Sequence, residues 1–434
     1  MTPPTLTEMT RVFARIGCLS FGGPAGQIAL MHKELVEDRG WVDEERYLRA
    51  LNFCHLLPGP EAQQLATWIG WRLHGLKGGL IAGMLFVLPG AAVILGLSVL
   101  YVYAAGLSWF AGVFVGIKAA VVALVFQALL RIAGKALTTP LRKGLAVAAF
   151  LALFVLSLPF PLVVLGAGAI GMAAAAWRPE LLALKTSPPT AELPPRRALV
   201  WSTVRTVAVW LVIWFAPLAA LALALGKGHV LVTIGLFFAK LAVVTFGGAY
   251  AVLAYMAQQA VTTHGWLSAG EMADGLGLAE TTPGPLIMVT QFVGFLGAYR
   301  LPAPFTPLLA GLIGAGLTTW MTFAPCFMWI FAAAPWMERL EHARKLQGGL
   351  AAVTASVVGV IANLALWFAL QVLFTRHTEV PFGFGAIHLP DPVTLDWTAL
   401  AIALVAAVLL FRTKLGVIGT LAVCGGMGLA ATVF

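Results

Sequence analysis

Long apolar runs recur along this chain and constrain its fold more than any other feature. A helix needs about 20 apolar residues to cross ~30 Å of hydrocarbon, and several stretches approach or exceed that length. These runs are residues 79–105, 109–130, 144–160, 161–177, 206–225, 303–332, 347–374, 397–411 and 415–433. No stretch alternates with the period of a barrel strand, so helices must satisfy the backbone inside the membrane. The sequence therefore predicts an all-α polytopic membrane protein.

The composition agrees with a membrane protein and indicates which kinds of partner the chain has. Of 434 residues, 60% are hydrophobic and 10% are charged, whereas soluble domains carry about 25% charged residues. The net charge of +9 could suggest nucleic acid, but in a membrane protein it more often reflects cytoplasmic loops. We therefore expect membrane lipid, and no nucleic acid, as a partner.

The sequence carries no motif for a cofactor. The four cysteines lie far apart without CxxC spacing, and the eight histidines form no HxxxH pair. Neither a disulfide framework nor a metal site is predicted from such spacing. The chain also lacks a P-loop, which argues against ATP-driven pumping by this chain. We expect no cofactor and no bound metal.

The chain contains an internal sequence repeat. A shift of 225 residues places Phe13–Pro60 on Phe238–Pro285 without a gap, and 14 of 48 positions are identical. About three identities are expected by chance from ordinary composition. The identities include Phe-Gly-Gly at 21–23 and 246–248, Gly-Trp at 40–41 and 265–266, and Pro-Gly-Pro at 58–60 and 283–285.

The repeat predicts three regions. Residues 1–177 form an N-terminal repeat, 178–229 a polar linker with one unpaired transmembrane helix, and 230–434 a C-terminal repeat. In each repeat, two glycine- and proline-broken segments precede four apolar runs. The extra helix at 206–225 places the second copy upside down in the membrane. Such inverted-topology repeats with broken helices are typical of secondary transporters.

The distribution of basic residues supports an inverted repeat. Lysine and arginine cluster in 131–143, 178–205, 333–346 and 412–414, which the positive-inside rule places in the cytoplasm. The intervening loops contribute only Lys227 and Arg376. The same rule favours broken segments that re-enter the membrane rather than cross it, although both arrangements of 12–31 and 50–75 stay open.

The broken segments predict an anion site. Gly22-Gly23-Pro24 should end one half-helix and begin another, and Pro58-Gly59-Pro60 should start a further half-helix. A helix start exposes unpaired N–H groups and the positive end of the helix dipole. We expect the backbone around Gly22, Gly23, Gly59, Gly247, Gly248 and Gly284 to supply N–H donors.

Side chains near the breaks fit the same site. Arg15 and Lys240 lie seven residues before Gly22 and Gly247, and ionisable groups inside membrane segments usually have a function. We expect them to supply positive charge, with snorkelling to the interface as the alternative. The side chains of Ser20, Thr245, Gln63 and Gln64 would add hydrogen bonds to an oxyanion.

Two further ionisable residues leave alternatives open. Glu61 follows the first Pro-Gly-Pro motif and could hold a proton, pair with a nearby arginine, or simply favour the helix dipole at a helix start. Lys118 lies deep in the run 109–130 and could face a cavity or pair with a carboxylate.

These motifs together resemble the chromate transporter family in its long, two-domain form. FGGP at 21–24, LPGPEAQQLATWIGWRLHG at 57–75 and FVLPG at 86–90 are similar to the family's first half. TFGGAY at 245–250, GW at 265–266 and TTPGP at 281–285 are similar to its second half, with Ala249 where the first half has Pro24. The resemblance implies export of chromate across the bacterial cytoplasmic (inner) membrane, giving chromate resistance. It also implies that sulfate, a similar tetrahedral dianion, competes or exchanges.

The residues by themselves predict only a secondary transporter for a small oxyanion. A transporter or channel for sulfate or another oxyanion is the main alternative. A membrane enzyme acting on lipid phosphate is a weaker one, because it needs a nucleophile or an acid–base pair and none recurs near the breaks. We therefore expect no enzymatic activity. The driving force, by proton, potential or sulfate exchange, and the oligomeric state, a homodimer included, stay open.

Overall fold

The computed structural model describes residues 4–21, 23–104, 106–184, 196–245, 249–341, 343–382, 385–413 and 415–433. Two compact units are present, and each draws segments from both halves of the sequence. Unit 1 comprises Met1–Val99, Ser187–Val252 and Thr282–Ala343. Unit 2 comprises Leu100–Thr186, Leu253–Thr281 and Arg344–Phe434. The predicted division into two repeats and a linker stays a prediction.

The described residues are mainly helical. The α-helices are α1 (Leu6–Leu19), α2 (Gly23–His32), α3 (Glu44–Cys54), α4 (Glu61–Ala104), α5 (Ser108–Ala136), α6 (Pro140–Phe154), α7 (Phe160–Trp177), α8 (Arg196–Leu225), α9 (Val230–Val244), α10 (Ala249–Gln258), α11 (Ala269–Thr281), α12 (Val289–Arg300), α13 (Pro307–Ala333), α14 (Met337–Glu341), α15 (Arg344–Leu373), α16 (Trp397–Arg412) and α17 (Gly416–Val433). An antiparallel hairpin joins β1 (His377–Phe382) to β2 (Gly385–Pro390).

The structure confirms a polytopic, essentially all-α membrane protein. Six helices within the described residues are long and apolar enough to cross a membrane. They are Glu61–Ala104, Ser108–Ala136, Phe160–Trp177, Leu199–Leu225, Pro307–Trp336 and Arg344–Leu373. The predicted run 144–160 ends earlier, at Phe154, because α7 begins at Phe160 with a proline in its first turn. The sequence did not predict the hairpin, which lies in the segment between the last long span and α16.

Helices next to the breaks are too short to cross. α1 has 14 residues and α9 has 15, so at 1.5 Å per residue each spans only ~21–23 Å. α4 bends sharply at His74 and Gly75, where Gly75 has a φ of +59°. The two arms of α4 then pack closely, since a Cβ on Gly70 would lie 2.3 Å from the carbonyl oxygen of Gly78.

The same local backbone geometry recurs 225 residues along the chain. Gly40 and Gly265 have φ values of +60° and +61°. A π-helix precedes each glycine, at Lys33–Glu37 and Gln259–Thr263. The tryptophan that follows each glycine donates its backbone N–H to an equivalent backbone carbonyl. Trp41 donates to Leu35 at 2.8 Å, and Trp266 donates to Ala260 at 2.9 Å. The sequence identities at these positions therefore correspond to a shared turn that needs glycine's positive φ.

Each unit has its own packing. In unit 1, aromatic and aliphatic side chains from α1, α3, α4 and α13 form the main apolar cluster, and α13 also packs on α8, α9 and α12. In unit 2, α15 packs on α5, α6 and α7, while α17 and α16 pack on α5. Small residues allow this close approach, as where Gly116 of α5 meets the backbone of Cys424 in α17.

Candidate functional site

Two half-length helices of unit 1 end at equivalent hydroxyl residues. Ser20 caps α1 and Thr245 caps α9. The Ser20 hydroxyl donates to the carbonyl of Ile16, and the Thr245 hydroxyl donates to the carbonyl of Leu241, each at 2.6 Å. Both hydroxyl protons are therefore used within their own helices. The backbone carbonyls of Ser20 and Thr245 remain available to other donors.

Those carbonyls accept reciprocal hydrogen bonds from the two Pro-Gly-Pro motifs. The Gly59 N–H donates to the Thr245 carbonyl at 2.8 Å, and the Gly284 N–H donates to the Ser20 carbonyl at 2.9 Å. The flanking prolines have no N–H, so each glycine carries its motif's only backbone donor. Each half of the sequence thus binds the break of the other half. The structure brings together four predicted site residues here.

The two glycines have backbone conformations that other residues rarely adopt. Gly59 has a φ of +117° and Gly284 a φ of +92°. A Cβ on Gly59 would lie 2.9 Å from both the Cys326 Sγ and the Gln64 Nε2. A Cβ on Gly284 would lie 3.2 Å from the Cα of Gly90. The positive φ favours glycine at both positions, and a Cβ would also have to displace these neighbours.

Buried amide side chains add hydrogen bonds next to these two reciprocal backbone contacts. The Gln27 Nε2 donates to the carbonyl of Gly284 at 2.5 Å and approaches the carbonyl of Ser20 at 3.4 Å. The Gln64 Nε2 donates to the carbonyl of Pro58 at 2.7 Å. Both side chains are almost completely buried. Gln64, a predicted site residue, therefore stabilises the turn that starts α4.

The start of α4 provides donors for an anion. The Gln64 N–H bonds to the carbonyl of Pro60, so the N–H groups of residues 61–63 have no acceptor within the helix. Gln63 is fully buried there, and its Nε2 donates to the Thr67 hydroxyl at 3.2 Å. Its Oε1 has no hydrogen-bond partner among the residues that the structure describes. The Nε2 carries a second N–H that can donate to an oxyanion, whereas the Oε1 is an acceptor and would not bind one.

The second half has apolar residues where the first half has its two glutamines, and it adds buried hydroxyl groups. Met288 and Val289 occupy the positions that correspond to Gln63 and Gln64. The hydroxyls of Thr290, Thr318 and Thr322 are buried and have no hydrogen-bond partner within the described part of the chain. The two halves are therefore chemically unequal, as the sequence indicates.

Glu61 occupies the first residue of α4 and is buried. Its Oε1 lies 3.6 Å from the Nδ1 of His55, whose side chain is half exposed. The structure thus supplies a histidine partner for this carboxylate. The position at the helix start also agrees with an acid that favours the helix dipole.

Arg15 forms its ion pair away from the glycines. Its Nε lies 3.7 Å from the Oε1 of Glu34, which is buried while the Arg15 side chain is largely exposed. Arg39 binds the other carboxylate oxygen of Glu34 and also donates to the Glu34 carbonyl at 3.1 Å. Two arginines therefore share one buried carboxylate, and the cluster carries a net positive charge.

The remaining predicted site residues are only partly placed. Lys240 is exposed on α9, at the position equivalent to Arg15 on α1. Gly23 begins α2 with a φ of +68° and open space around its Cα. Gly22, Gly247 and Gly248 lie outside the described residues.

Lys118 pairs with a carboxylate in unit 2, one of the two alternatives for this residue. Its Nζ lies 3.3 Å from the Oδ1 of Asp274 on α11. Asp274, like Gln27 and Glu34, was not among the predicted site residues. Gln27 and Asp274 are polar residues within largely apolar stretches, which was the available signal, whereas Glu34 stands in the charged segment 32–49 and gave none.

Comparison with known proteins covers most of the chain. The family model described as "Chromate transporter" matches residues 7–172 and 232–429. A probable chromate transport protein of Synechococcus elongatus is 27% identical over 92% of this chain and 95% of its own length.

Other curated relatives carry the same kind of name. The chromate transport protein of Pseudomonas aeruginosa is 31% identical over 88% of this chain and 85% of its own length. The chromate transport protein of Cupriavidus metallidurans is 28% identical over 84% of this chain and 83% of its own length. No solved structure matches.

Proposed function

The chain belongs to the chromate transporter family, and from that premise we propose that it exports chromate from the bacterial cytoplasm across the inner membrane. Removing a toxic oxyanion in this direction would give chromate resistance. The relatives' names support chromate as the substrate. Sulfate has the same charge and tetrahedral shape, so we expect it to compete for the site or to exchange with chromate.

The reciprocal hydrogen bonds are the observation that carries the proposal. Gly59 binds Thr245 and Gly284 binds Ser20, so a single centre is built from equivalent elements of both halves. Secondary transporters with inverted repeats place their substrate where discontinuous helices of the two halves meet. The recurring geometry at an offset of 225 residues supports such a repeat, and alternating access would rock one half against the other.

The oxyanion would bind at the start of α4. The backbone N–H groups of residues 61–63, which have no acceptor within α4, and the second N–H of the Gln63 Nε2 are neutral donors that bind oxygen atoms without a permanent counter-charge. The N–H groups of Gly59 and Gly284 already bind carbonyls, so we assign these glycines to the scaffold that positions the helix start. Buried Glu61 would repel a dianion, and its pairing with His55 or its protonation relieves that repulsion.

Arg15 and Lys240 would supply the positive charge. The Arg15 cluster has a formal net positive charge, because Arg15 and Arg39 share the single carboxylate of Glu34. A dianion approaching α1 is attracted by this net charge. Lys240 has the equivalent position on α9, and the two basic groups would attract the anion from the two halves.

Everted inner-membrane vesicles test this function. Vesicles that contain the protein should accumulate radiolabelled chromate, and excess sulfate should reduce the accumulation. A matched strain lacking the gene should be more sensitive to chromate in the medium. Vesicles that show no chromate accumulation above the empty-vector control would contradict the proposal.

A further inference from the structure

Unit 2 contains a buried cluster of ionisable groups that the proposed anion site does not use. Asp274 on α11 is buried, and its Oδ1 lies 3.3 Å from the Nζ of Lys118 on α5. Its Oδ2 accepts a hydrogen bond from the Tyr101 hydroxyl, at 2.7 Å, near the end of α4. Lys118 lies within a span long and apolar enough to cross a membrane.

The surroundings of this cluster are apolar and tightly packed. The Tyr101 ring lies edge-on to Phe114, with centroids 5.6 Å apart. α11 approaches α5 so closely that a Cβ on Gly277 would lie 2.4 Å from the Ile117 side chain. Water has little access to a carboxylate held in this way, so its charge depends on its two partners.

Few charged groups face Asp274. Glu271, one turn earlier on α11, is the nearest like charge and also caps its own helix through Ser268. α15 and α17 also pack on α11, and neither gives Asp274 an ion pair or hydrogen bond among the residues that the structure describes. Cys424 of α17 packs on α5 at Gly116. Burial favours the neutral acid of Asp274, whereas Lys118 and Tyr101 favour its carboxylate.

A structural role alone explains this cluster poorly. Replacing a buried ion pair by apolar residues of similar volume is often neutral or stabilising, and Lys118 is the one charged or polar side chain of α5 between residues 109 and 126. The repeat does not require the pair either, because Arg49 stands at the position equivalent to Asp274. Ionisable groups retained inside membrane helices mark ion or proton pathways in transporters.

We propose that Asp274 binds and releases the proton that couples chromate transport to the pH gradient, with Lys118 and Tyr101 as positioning residues. This inference rests on the proposed transport function. The step is balanced by one proton: the carboxylate takes it up to become a neutral acid and later returns it to water. Proton uptake removes the ion pair that holds α11 to α5, so the contact between these helices changes with each cycle.

The sequence connects this change to the anion site. α11 ends at Thr281, and the second Pro-Gly-Pro motif follows at 283–285. A change in how α5 holds α11 therefore acts on the helix that leads into Gly284. Proton binding and anion transport are coupled by this continuous stretch of chain.

Proteoliposomes provide the test. Chromate flux is measured for the wild type, Asp274→Asn, Tyr101→Phe and Gln127→Leu, with and without an imposed pH gradient, across a range of external pH. Gln127 is the matched control, because it lies on α5 like Lys118, and its amide donates to the backbone carbonyl of Leu410 on α16 rather than to Asp274. Reconstituted protein is quantified so that flux is expressed per inserted molecule.

Asp274→Asn should keep downhill chromate flux and lose its response to the pH gradient. Tyr101→Phe removes a bond to the charged carboxylate, which favours the protonated acid. The acid limb of its flux profile should move about one unit to higher pH. Gln127→Leu should match the wild type in both respects. If Asp274→Asn fails to insert, the Tyr101→Phe profile decides.

Distinct results overturn the two proposals. No chromate flux through the wild-type protein contradicts the transport function. Wild-type flux that ignores the pH gradient overturns the coupling role of Asp274 and leaves the transport function standing. The same holds if Asp274→Asn keeps the full gradient response, or if Tyr101→Phe has the wild-type pH profile when Asp274→Asn does not insert.

Discussion

The N–H of Gly59 donates to the carbonyl of Thr245 at 2.8 Å, linking the Pro-Gly-Pro turn of the first half to the helix break of the second. Its equivalent, Gly284 to Ser20, closes the reciprocal contact at 2.9 Å. A chain that twice breaks a helix inside a membrane must satisfy the freed carbonyls, and here each half satisfies those of the other.

Substituting Gly59 or Gly284 should lower stability and transport more than substituting an ordinary helical glycine. Gly59→Ala and Gly284→Ala each place a Cβ on a residue with positive φ and in close contact. Strain of this kind costs on the order of 1–3 kcal/mol. We expect a lower melting temperature in detergent and at least a tenfold loss of chromate flux.

Gly96→Ala is the control for that pair. Gly96 lies within α4 with nothing within 4 Å of a Cβ, and alanine has a higher helix propensity than glycine. Its melting temperature should equal or exceed that of the wild type. Equal melting temperatures for Gly59→Ala, Gly284→Ala and Gly96→Ala would refute the structural requirement.

Gln27→Leu should weaken the contact between Gly284 and Ser20. The variant leaves the Gly284 carbonyl without the Gln27 donor in a buried site, and loss of such a partner costs about 1–3 kcal/mol. Both thermal stability and chromate flux per inserted molecule should fall. Gln127→Leu also removes an amide-to-carbonyl bond, but in unit 2, and should lower stability without changing the KM for chromate. A KM change of equal size in both variants would disprove a specific role for Gln27.

Gln63 should determine anion affinity. Gln63→Leu removes a buried amide at the helix start, and Gln63→Glu places a carboxylate where we expect the anion. Flux measured against chromate concentration should show a KM raised about 10-fold for leucine and more for glutamate, because like charges repel at short distance. Leucine and glutamate variants with the wild-type KM would exclude Gln63 from the site.

The basic residues upstream of the breaks should be essential for flux but not for insertion. Arg15→Gln leaves Glu34 paired with Arg39, so the fold should persist while the net positive charge is lost. Chromate flux should be abolished for Arg15→Gln and for Lys240→Gln, with normal amounts of protein in the membrane. Arg46→Gln breaks only an exposed pair with Asp43 and should be neutral. Wild-type flux in either of the first two variants would remove that residue from the proposed site.

Much of the fold could be predicted from the sequence because its signals are local. Apolar run length predicted the long helices, and prolines and glycines predicted the helix breaks before α2 and α4. The β1–β2 hairpin was missed because its residues mix polar and apolar types with prolines and glycines, without a clear two-residue alternation. The boundary between α6 and α7 was displaced because the run continues across Leu156 and Leu158, which are exposed and non-helical.

The site was less predictable because its contacts join distant parts of the chain. Gln27 binds Gly284 across 257 residues and Tyr101 binds Asp274 across 173. A single sequence gives no signal for such pairs, so Lys118 could equally have faced a cavity. The equal spacing of motifs in the two halves identified Ser20 as equivalent to Thr245, and Gly59 as equivalent to Gly284. It did not indicate that the glycine of each half donates a hydrogen bond to the hydroxyl residue of the other half.

Equilibrium binding of radiolabelled chromate to purified protein tests the central claim most directly. Wild-type protein and Gln127→Leu should bind chromate saturably, with displacement by sulfate, whereas Gln63→Glu should lose binding at the same concentrations while keeping its melting temperature within a few degrees. Unchanged chromate binding by Gln63→Glu would contradict an anion site at the start of α4, where the two broken halves of the chain meet.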